Sequence, residues 1–523
     1  MDRISALEHA KDQALDRAAK ATRPTGDGRS VPEGSDDALR RFLRRYYRHV
    51  VAEDLVGRAS EQILEAALAH RELAGARPQG TASVRVRTPE GQGHSVVEVV
   101  CDDMPFLVDS VTAEISRHGY AIHLVVHPLL VVRRDVAGRL LAVCDASTLA
   151  EAGPDCRDAV VESWMHIEID RASDDEARGQ LATDLDRVLR DVREAVEDWP
   201  KMRSTALAIA EQLTTAPPAG ISGQEVAEAA ELLRWLADAH FTFLGYREYQ
   251  LETDERGERL VAVPGSGLGI LRADQLRTDD TGRLPKEVSE HARERKLLVL
   301  TKANSRSTVH RPAYLDYVGV KVLDQAGSPV GERRFLGLFT SAAYNQSIQR
   351  IPVLRRKALE VLARSGFASN SHSGKDLLQI LETYPRDELF QISADDLEQI
   401  GLSVLHLQER RQLRLFLRRD DYGRFMSCMV YLPRDRYTTH VRQAMQRILL
   451  EAFDGDSVDY TALVSESVLA RLHFVVRVAG GQTVPDVDPG ALEAKLVEAT
   501  RSWDDDFADA LVESCGEERA AVL

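Results

Sequence analysis

Three groupings of side chains in this 523-residue chain have the types and spacing that chemistry could use. The first is Asp102, Asp103 and Asp109, carboxylates set around Met104, Pro105 and Phe106. Two carboxylates that converge on one substrate can divide acid and base roles, and three oxygen ligands can hold a hard cation. Asp103 also has a structural reason to exist, because a carboxylate ahead of a helix accepts its orphan N–H groups. The junction therefore reads as a place to bind a small ligand rather than to transform one. The second grouping is Lys302, Arg306, His310 and Arg311, interleaved with Ser305, Ser307 and Thr308. Such donors can grip a carboxylate or phosphate, or pair with the chain's own acidic groups or a neighbouring domain. The third is Arg40, Arg41, Arg44, Arg45 and Arg48 among Leu39, Phe42, Leu43 and Tyr46. It has the look of a nucleic-acid patch, but arginine stems lying over apolar neighbours on a solvated helix produce the same pattern.

Other motifs fail on spacing. After the strand-like VAVP (261–264) come Gly265, Gly267 and Gly269, yet the third glycine of a dinucleotide loop belongs at position 270, which is Ile. Gly374–Lys375 precedes Asp376 instead of the Ser or Thr a phosphate loop needs for magnesium. Neither Cys/His spacing nor a helical H-x-x-x-H supports a metal, and no G-x-S-x-G elbow occurs. Lys plus Arg number 67 against 83 Asp plus Glu, a net charge of −16 that disfavours general binding to nucleic acid or anionic membrane. No apolar run is long enough to span a bilayer, and no secretory signal is visible. Cys101, Cys144, Cys156, Cys428 and Cys515 lie far apart, which reads as reduced, mostly buried thiols in a cytoplasmic protein.

The elements that would position these groups follow from periodicity. Val96, Val97, Val99 and Val100 predict a buried strand leading into a helix through Leu107, Val111 and Ile115. Gly119 closes that helix, and a strand through Ile122, Leu124, Val126, Leu130 and Val132 follows. Ser163, Met165, Ile167 and Ile169 alternate with Glu162, Trp164, His166, Glu168 and Asp170, the pattern of a half-exposed strand. Asp174–Val196 reads as an amphipathic helix, residues 22–37 and Thr214–Gly223 as linkers, and 503–513 as a charged helical segment. The predicted class is α+β and multi-domain. Its parts are a flexible or helical N-terminus (1–38), a helical segment (39–78), a first βα sandwich (79–200), a linker (201–224), an antiparallel-sheet domain with helices (225–405), a second sandwich (406–505) and the start of a helical connector (506–523). The last sandwich repeats the first in outline, with Tyr431–Arg434 and Asp435 at the matching junction.

DDMPFLVDSV (102–111), HFTFLGYREY (240–249), LTKANSRSTVHRP (300–312), YNQSIQRIPVLRRK (344–357) and MVYLPRDRY (429–437) resemble the large, NAD-specific glutamate dehydrogenases of bacteria. The resemblance runs from about residue 40 to the C-terminus. It implies two ACT-like domains flanking a PAS-like domain, the N-terminal, non-catalytic part of enzymes that oxidise glutamate to 2-oxoglutarate. NAD would then bind in a catalytic domain absent from this chain, which is expected to be inactive alone and to bind no cofactor or metal itself. Partners would be that catalytic domain, other subunits of a homo-oligomer, and an amino-acid effector. The resemblance places the effector at Asp103, Met104, Pro105, Phe106 and Asp109, or at Arg434 and Asp435. The alternative is a free-standing amino-acid-sensing or scaffolding protein without enzymatic activity.

Overall fold

The computed structural model describes residues 3–21, 36–254, 257–272, 293–368, 370–407, 410, 412–421, 423–465, 467–478, 484–501, 507, 510 and 514. Most of the 22–37 linker, most of the 503–513 segment and Cys515 lie outside them. Contacts divide the chain into two units, one of Met1–Pro200, Leu268–Arg272 and Ser305–Tyr314, the other of Lys201–Gly267, Ala273–Asn304 and Leu315–Leu523.

The first unit begins with four helices, α1 (Arg3–Lys20), α2 (Asp36–Tyr46), α3 (Ala52–Val56) and α4 (Ser60–Leu73). Its sheet comprises β1 (Ser83–Arg87), β2 (His94–Asp102), β3 (Ile122–Val126), β4 (Leu129–Arg134), β5 (Leu140–Val143) and β6 (Val160–Asp170), with α5 (Leu107–Arg117) after β2 and α6 (Asp175–Thr215) after β6. The strand order is β1-β2-β6-β4-β5, with β3 also on β6. The single strand expected over 122–132 is two. Pro128 has no N–H for a ladder, and the pairing resumes at Leu129↔Ser163 after Val126↔His166. Leu15, Leu43, Leu55 and Ile63 from the helices form one core with Val100, Leu124, Leu130, Val132 and Trp164. The alternate set, Val97, Val99, Met165, Ile167 and Ile169, is buried as well. Strand β6 is therefore covered on both faces, and the half-exposed strand read from its alternation is a correction. Glu162, Trp164, His166 and Glu168 lie under helices that sequence periodicity could not assign to that face.

Pro200 does not end α6, which continues to Thr215. The N-terminal part of the expected 201–224 linker is thus helix. Cys144 and Cys156 are joined as a disulfide, while Cys101 and Cys428 are buried free thiols. The reading of all cysteines as reduced is corrected for that pair. The chain between them makes two short 3-10 turns, Leu149–Glu151 and Pro154–Cys156, that fold it back, a return invisible in spacing alone.

In the second unit α7 (Gly223–Trp235), capped by Ser222, precedes a sheet of order β9-β10-β11-β7-β8. These strands are β7 (Phe241–Asp254), β8 (Gly257–Ala262), β9 (Leu298–Arg306), β10 (Tyr314–Leu323) and β11 (Pro329–Phe339). At Gly337 a Cβ would stand 2.2 Å from the Thr242 carbonyl oxygen, so only glycine fits this β11–β7 bulge. Helices α8 (Leu354–Arg364), α9 (His372–Thr383), α10 (Arg386–Gln391) and α11 (Ala394–Leu407) follow. Then come β12 (Arg414–Arg419), β13 (Phe425–Pro433), α12 (Thr439–Ala452), β14 (Ser457–Leu463), β15 (Leu469–Arg477) and α13 (Pro489–Glu498), with sheet order β12-β13-β15-β14. The order repeats the first sheet, with β15 between β13 and β14 as β6 lies between β2 and β3/β4. Each sheet has the chain order strand, strand, helix, strands, helix.

Candidate functional site: two strand–helix junctions and the charges beneath them

At the β2–α5 junction the side-chain cap expected from Asp103 is absent. The N-cap position is Phe106 in a left-handed conformation, φ 72°, with no side-chain cap bond. Asp103 is exposed and its backbone N–H donates to the Val161 carbonyl at 3.2 Å. Asp102 ends β2 as an ion-pair partner, 2.7 Å from Arg77 and 2.7 Å from Arg193. A second strained residue meets the first: His310, at φ 70°, lays its ring 4.9 Å from that of Phe106. Its N–H donates to Ser110 Oγ at 2.9 Å, and its Nδ1 lies 3.2 Å from Asp109 Oδ2. Ser110 Oγ in turn donates to the Phe106 carbonyl. Positive φ at two non-glycine side chains costs about 1–3 kcal/mol each and persists only where surrounding contacts over-determine it. The junction thus unites Phe106, Asp109 and His310 from two separate sequence groupings. Its α5 N–H groups carry no side-chain cap, which suits an anionic head group. No pair of carboxylates converges there to exchange a proton.

The rest of the basic cluster disperses. Arg306 stacks 4.4 Å over Tyr314 and donates to the Pro312 carbonyl, and Arg311 follows His310 in the same loop. Lys302 belongs to the second unit, where its ammonium lies 2.5 Å from Asp316 and 3.1 Å from Asp387. Tyr344 donates to Asp387, and the Phe339 N–H donates to Asp316. Burial pushes Asp316 up to about 6, while the two carboxylates outweigh burial and hold Lys302 above its ordinary value. The five arginines of α2 and its end also find local partners. Arg40 and Arg44 meet Asp16, Arg41 and Arg45 meet Asp145, and Arg48 meets Ser147.

The matching late junction differs. Arg434 and Asp435 lie exposed on a 3-10 turn, Arg434–Arg436, with Arg434 donating to the Ser465 and Val468 carbonyls. Thr438 caps α12 by accepting from the Val441 N–H, so this junction carries no strained cap.

Sequence reasoning missed the polar row of β6 and β2. Glu162 accepts from the buried Arg77 and Trp164 indole and from Arg134, whose side chain is 7% exposed. His166 stands 3.9 Å from both Glu98 and Glu168. Burial opposes charge on all three. The two carboxylates nevertheless raise His166, and Glu98 and Glu168 are held low, Glu168 at about 2. Arg85 and Arg87 complete the pairing of Glu98, and Arg58 that of Glu168. Burial, helped by the His166 and Arg85 charges and opposed by Glu98, pushes neighbouring His70 down to about 4; its ring bonds Tyr46 and the Val99 carbonyl. Beside His94, His166 and Glu168 is a cavity of about 50 Å³, room for little more than water. The signal was available in retrospect: acidic residues on β2 and β6 match arginines at 58, 77, 85, 87 and 134.

Chemistry elsewhere is similarly occupied. Ser427, His473 and Glu388 lie together, but Ser427 and Glu388 both face His473 Nε2, at 2.9 and 3.8 Å. A relay needs the carboxylate on the opposite ring nitrogen, and Glu388 is already taken by Arg418. Glu114, His118 and Asp184 could ligate a metal, yet Arg117 and Arg187 already neutralise Glu114 and Asp184. In the glycine-rich segment the Gly269 N–H donates to Asp198, and Ser266 turns back on Val263, as in a plain turn.

Comparison with known proteins places these elements. The chain matches the model of the glutamate dehydrogenase ACT1 domain over residues 42–185, helical motif 1 over 351–410 and the ACT2 domain over 414–504. It is 39% identical to an NAD-specific glutamate dehydrogenase of Halomonas elongata over 92% of the chain and 30% of that protein. Enzymes of the same description from Pseudomonas aeruginosa and Mycobacterium tuberculosis are 37% and 34% identical, over 91% and 84% of the chain. The chain spans about 30% of the length of the curated relatives it matches.

Proposed function

We propose, from the premise that this chain belongs to the NAD-specific glutamate dehydrogenase family, that it is the regulatory and assembly portion of such an enzyme. The observation that carries the reading is the repeated strand-strand-helix-strands-helix order of the two sheets, coincident with the ACT1 and ACT2 matches. The sheet of β7–β11 between them is the PAS-like module of this reading. Oxidation of glutamate with NAD then belongs to the family's remaining length, and this chain binds neither coenzyme nor metal. Supporting that division, the buried charges described above are satisfied by one another and the glycine-rich segment is a turn.

In this reading an amino-acid effector binds at Asp103–Asp109, with its carboxylate toward the uncapped start of α5, or at Arg434 and Asp435. Binding at the first junction displaces the His310 ring from Phe106 and shifts how subunits pack in a cytoplasmic homo-oligomer. Lys302, Arg306, His310 and Arg311 serve contacts within the protein rather than a free anion. Coupling between such sites is typically about 1–3 kcal/mol. The test is thermal unfolding of the purified chain with each of the twenty amino acids. A saturable rise with at least one, lost in Asp109→Ala, is expected. No shift with any of them refutes the effector role, and NADH formation from glutamate and NAD by the chain alone refutes the division of labour.

A further inference from the structure

The second unit holds a cavity of about 390 Å³ that neither junction explains, within the size range of small-molecule sites. One wall is apolar, made by Leu298, Leu300, Phe390 and Ile392. The polar groups around it differ in what they leave free once internal contacts are set aside. Glu228 is held by Arg355 and the Val353 N–H, and Glu225 accepts from the Leu297 N–H. Arg418 is bound by Glu388 and Arg419 by Asp486, while Asp396 accepts from Ser393. Lys296 and Arg356 remain, exposed at the rim and without a hydrogen bond or ion pair among the described residues. Glu225, Asp396 and Asp421 keep their negative charges, so what sets Lys296 and Arg356 apart is that their donors are unengaged.

Two features show that the site is built rather than left over. Val353, a β-branched residue, is held at φ 70° where α8 starts, a conformation side chains of that shape avoid. Glu228 pins it by accepting its N–H at 2.6 Å. Lys357, one turn into α8, points its amine across the cavity wall to the Leu389 and Ile392 carbonyls. Burial, then the nearby Lys296 and Arg418 charges, push that amine down to about 7. An anion beside it would restore its charge.

We infer that this cavity is a binding site for a small organic anion, a carboxylate or phosphate ester with an apolar body, whose head group is met by Lys296 and Arg356. The apolar body lies against Leu298, Leu300, Phe390 and Ile392. This site does not depend on the effector reading of the β2–α5 junction, and either can fail without the other.

The experiment titrates the full chain by calorimetry with four probes: phenyl phosphate, benzoate, inorganic phosphate and benzylamine. Saturable one-site binding of phenyl phosphate or benzoate is expected, the tighter of the two identifying the head group. Inorganic phosphate should bind more weakly for want of an apolar body, and benzylamine not at all. Lys296→Ala and Arg356→Ala, both at exposed positions, should each weaken binding about tenfold, the loss of one charge-assisted contact. Arg157→Ala, in the other unit, should leave binding unchanged. Benzylamine binding as well as the anions, inorganic phosphate matching phenyl phosphate, unchanged binding in both rim variants, or no binding by any probe overturns the inference.

Discussion

Glu162→Gln is the sharpest perturbation of the first sheet. The carboxylate is fully buried and accepts from Arg77 at 3.1 and 2.6 Å, from Arg134 at 2.5 and 2.8 Å, and from the Trp164 indole at 3.0 Å. Asp102 still balances Arg77 in the variant, so one buried guanidinium, that of Arg134, loses its counter-charge. Breaking a buried pair from one side costs about 3–5 kcal/mol. For a unit of about 200 residues that lowers the unfolding midpoint by roughly 10 °C. Scanning calorimetry of the full chain reads it as a downward shift of one transition, with the other in place. The deficit also depends on pH. Although burial opposes it, Arg134 and Arg77 hold Glu162 below the usual carboxylate range, so its contribution is present above that range and is lost as pH falls. The gap between wild type and variant therefore narrows on acidification. A midpoint within 2 °C of wild type at neutral pH, or a gap that widens in acid, would show that Glu162 does not hold Arg134 in place.

Other outcomes follow from the same packing. Histidine NMR should find His166 still charged above pH 6.5 and His70 neutral down to about pH 4. The His70 deficit removes stability as pH falls from its unfolded value near 6.5, whereas the His166 contribution is lost as pH rises past its raised value. Gly337→Ala forces a methyl onto the Thr242 carbonyl and the Phe241 ring, and should cost about 1–3 kcal/mol in denaturant titration. Cys101 and Cys428, buried and with Cys101 pushed up to about 12, should resist alkylation until unfolding, and Cys144 and Cys156 should alkylate only after reduction.

Much of this fold was legible in the sequence because its periodicities are local. The β2 valine run, the α5 face of Leu107, Val111 and Ile115, and the α12 spacing each emerge within a residue or two. What escaped depends on distant chain. The burial of Glu162 and His166 needed four N-terminal helices whose target face no local pattern records. Pro200 failed to end α6 because the helix is held along its length by buried residues on both sides of it, Val192 and Ala195 before and Met202 and Ala206 after. The candidate site was half visible: the carboxylates and Phe106 marked the junction, but that His310 closes over it from some two hundred residues away could not be read from spacing. The strained Phe106 cap replaced the expected Asp103 cap for the same reason, since the loop that enforces it is remote.

In the proposed division, paired ACT units regulate and assemble while the coenzyme is held elsewhere. Titrating the purified chain with NADH and following nicotinamide fluorescence tests it most directly. A linear signal with no saturable component at any protein concentration is expected; a saturating, stoichiometric enhancement that added NAD competes away overturns the division.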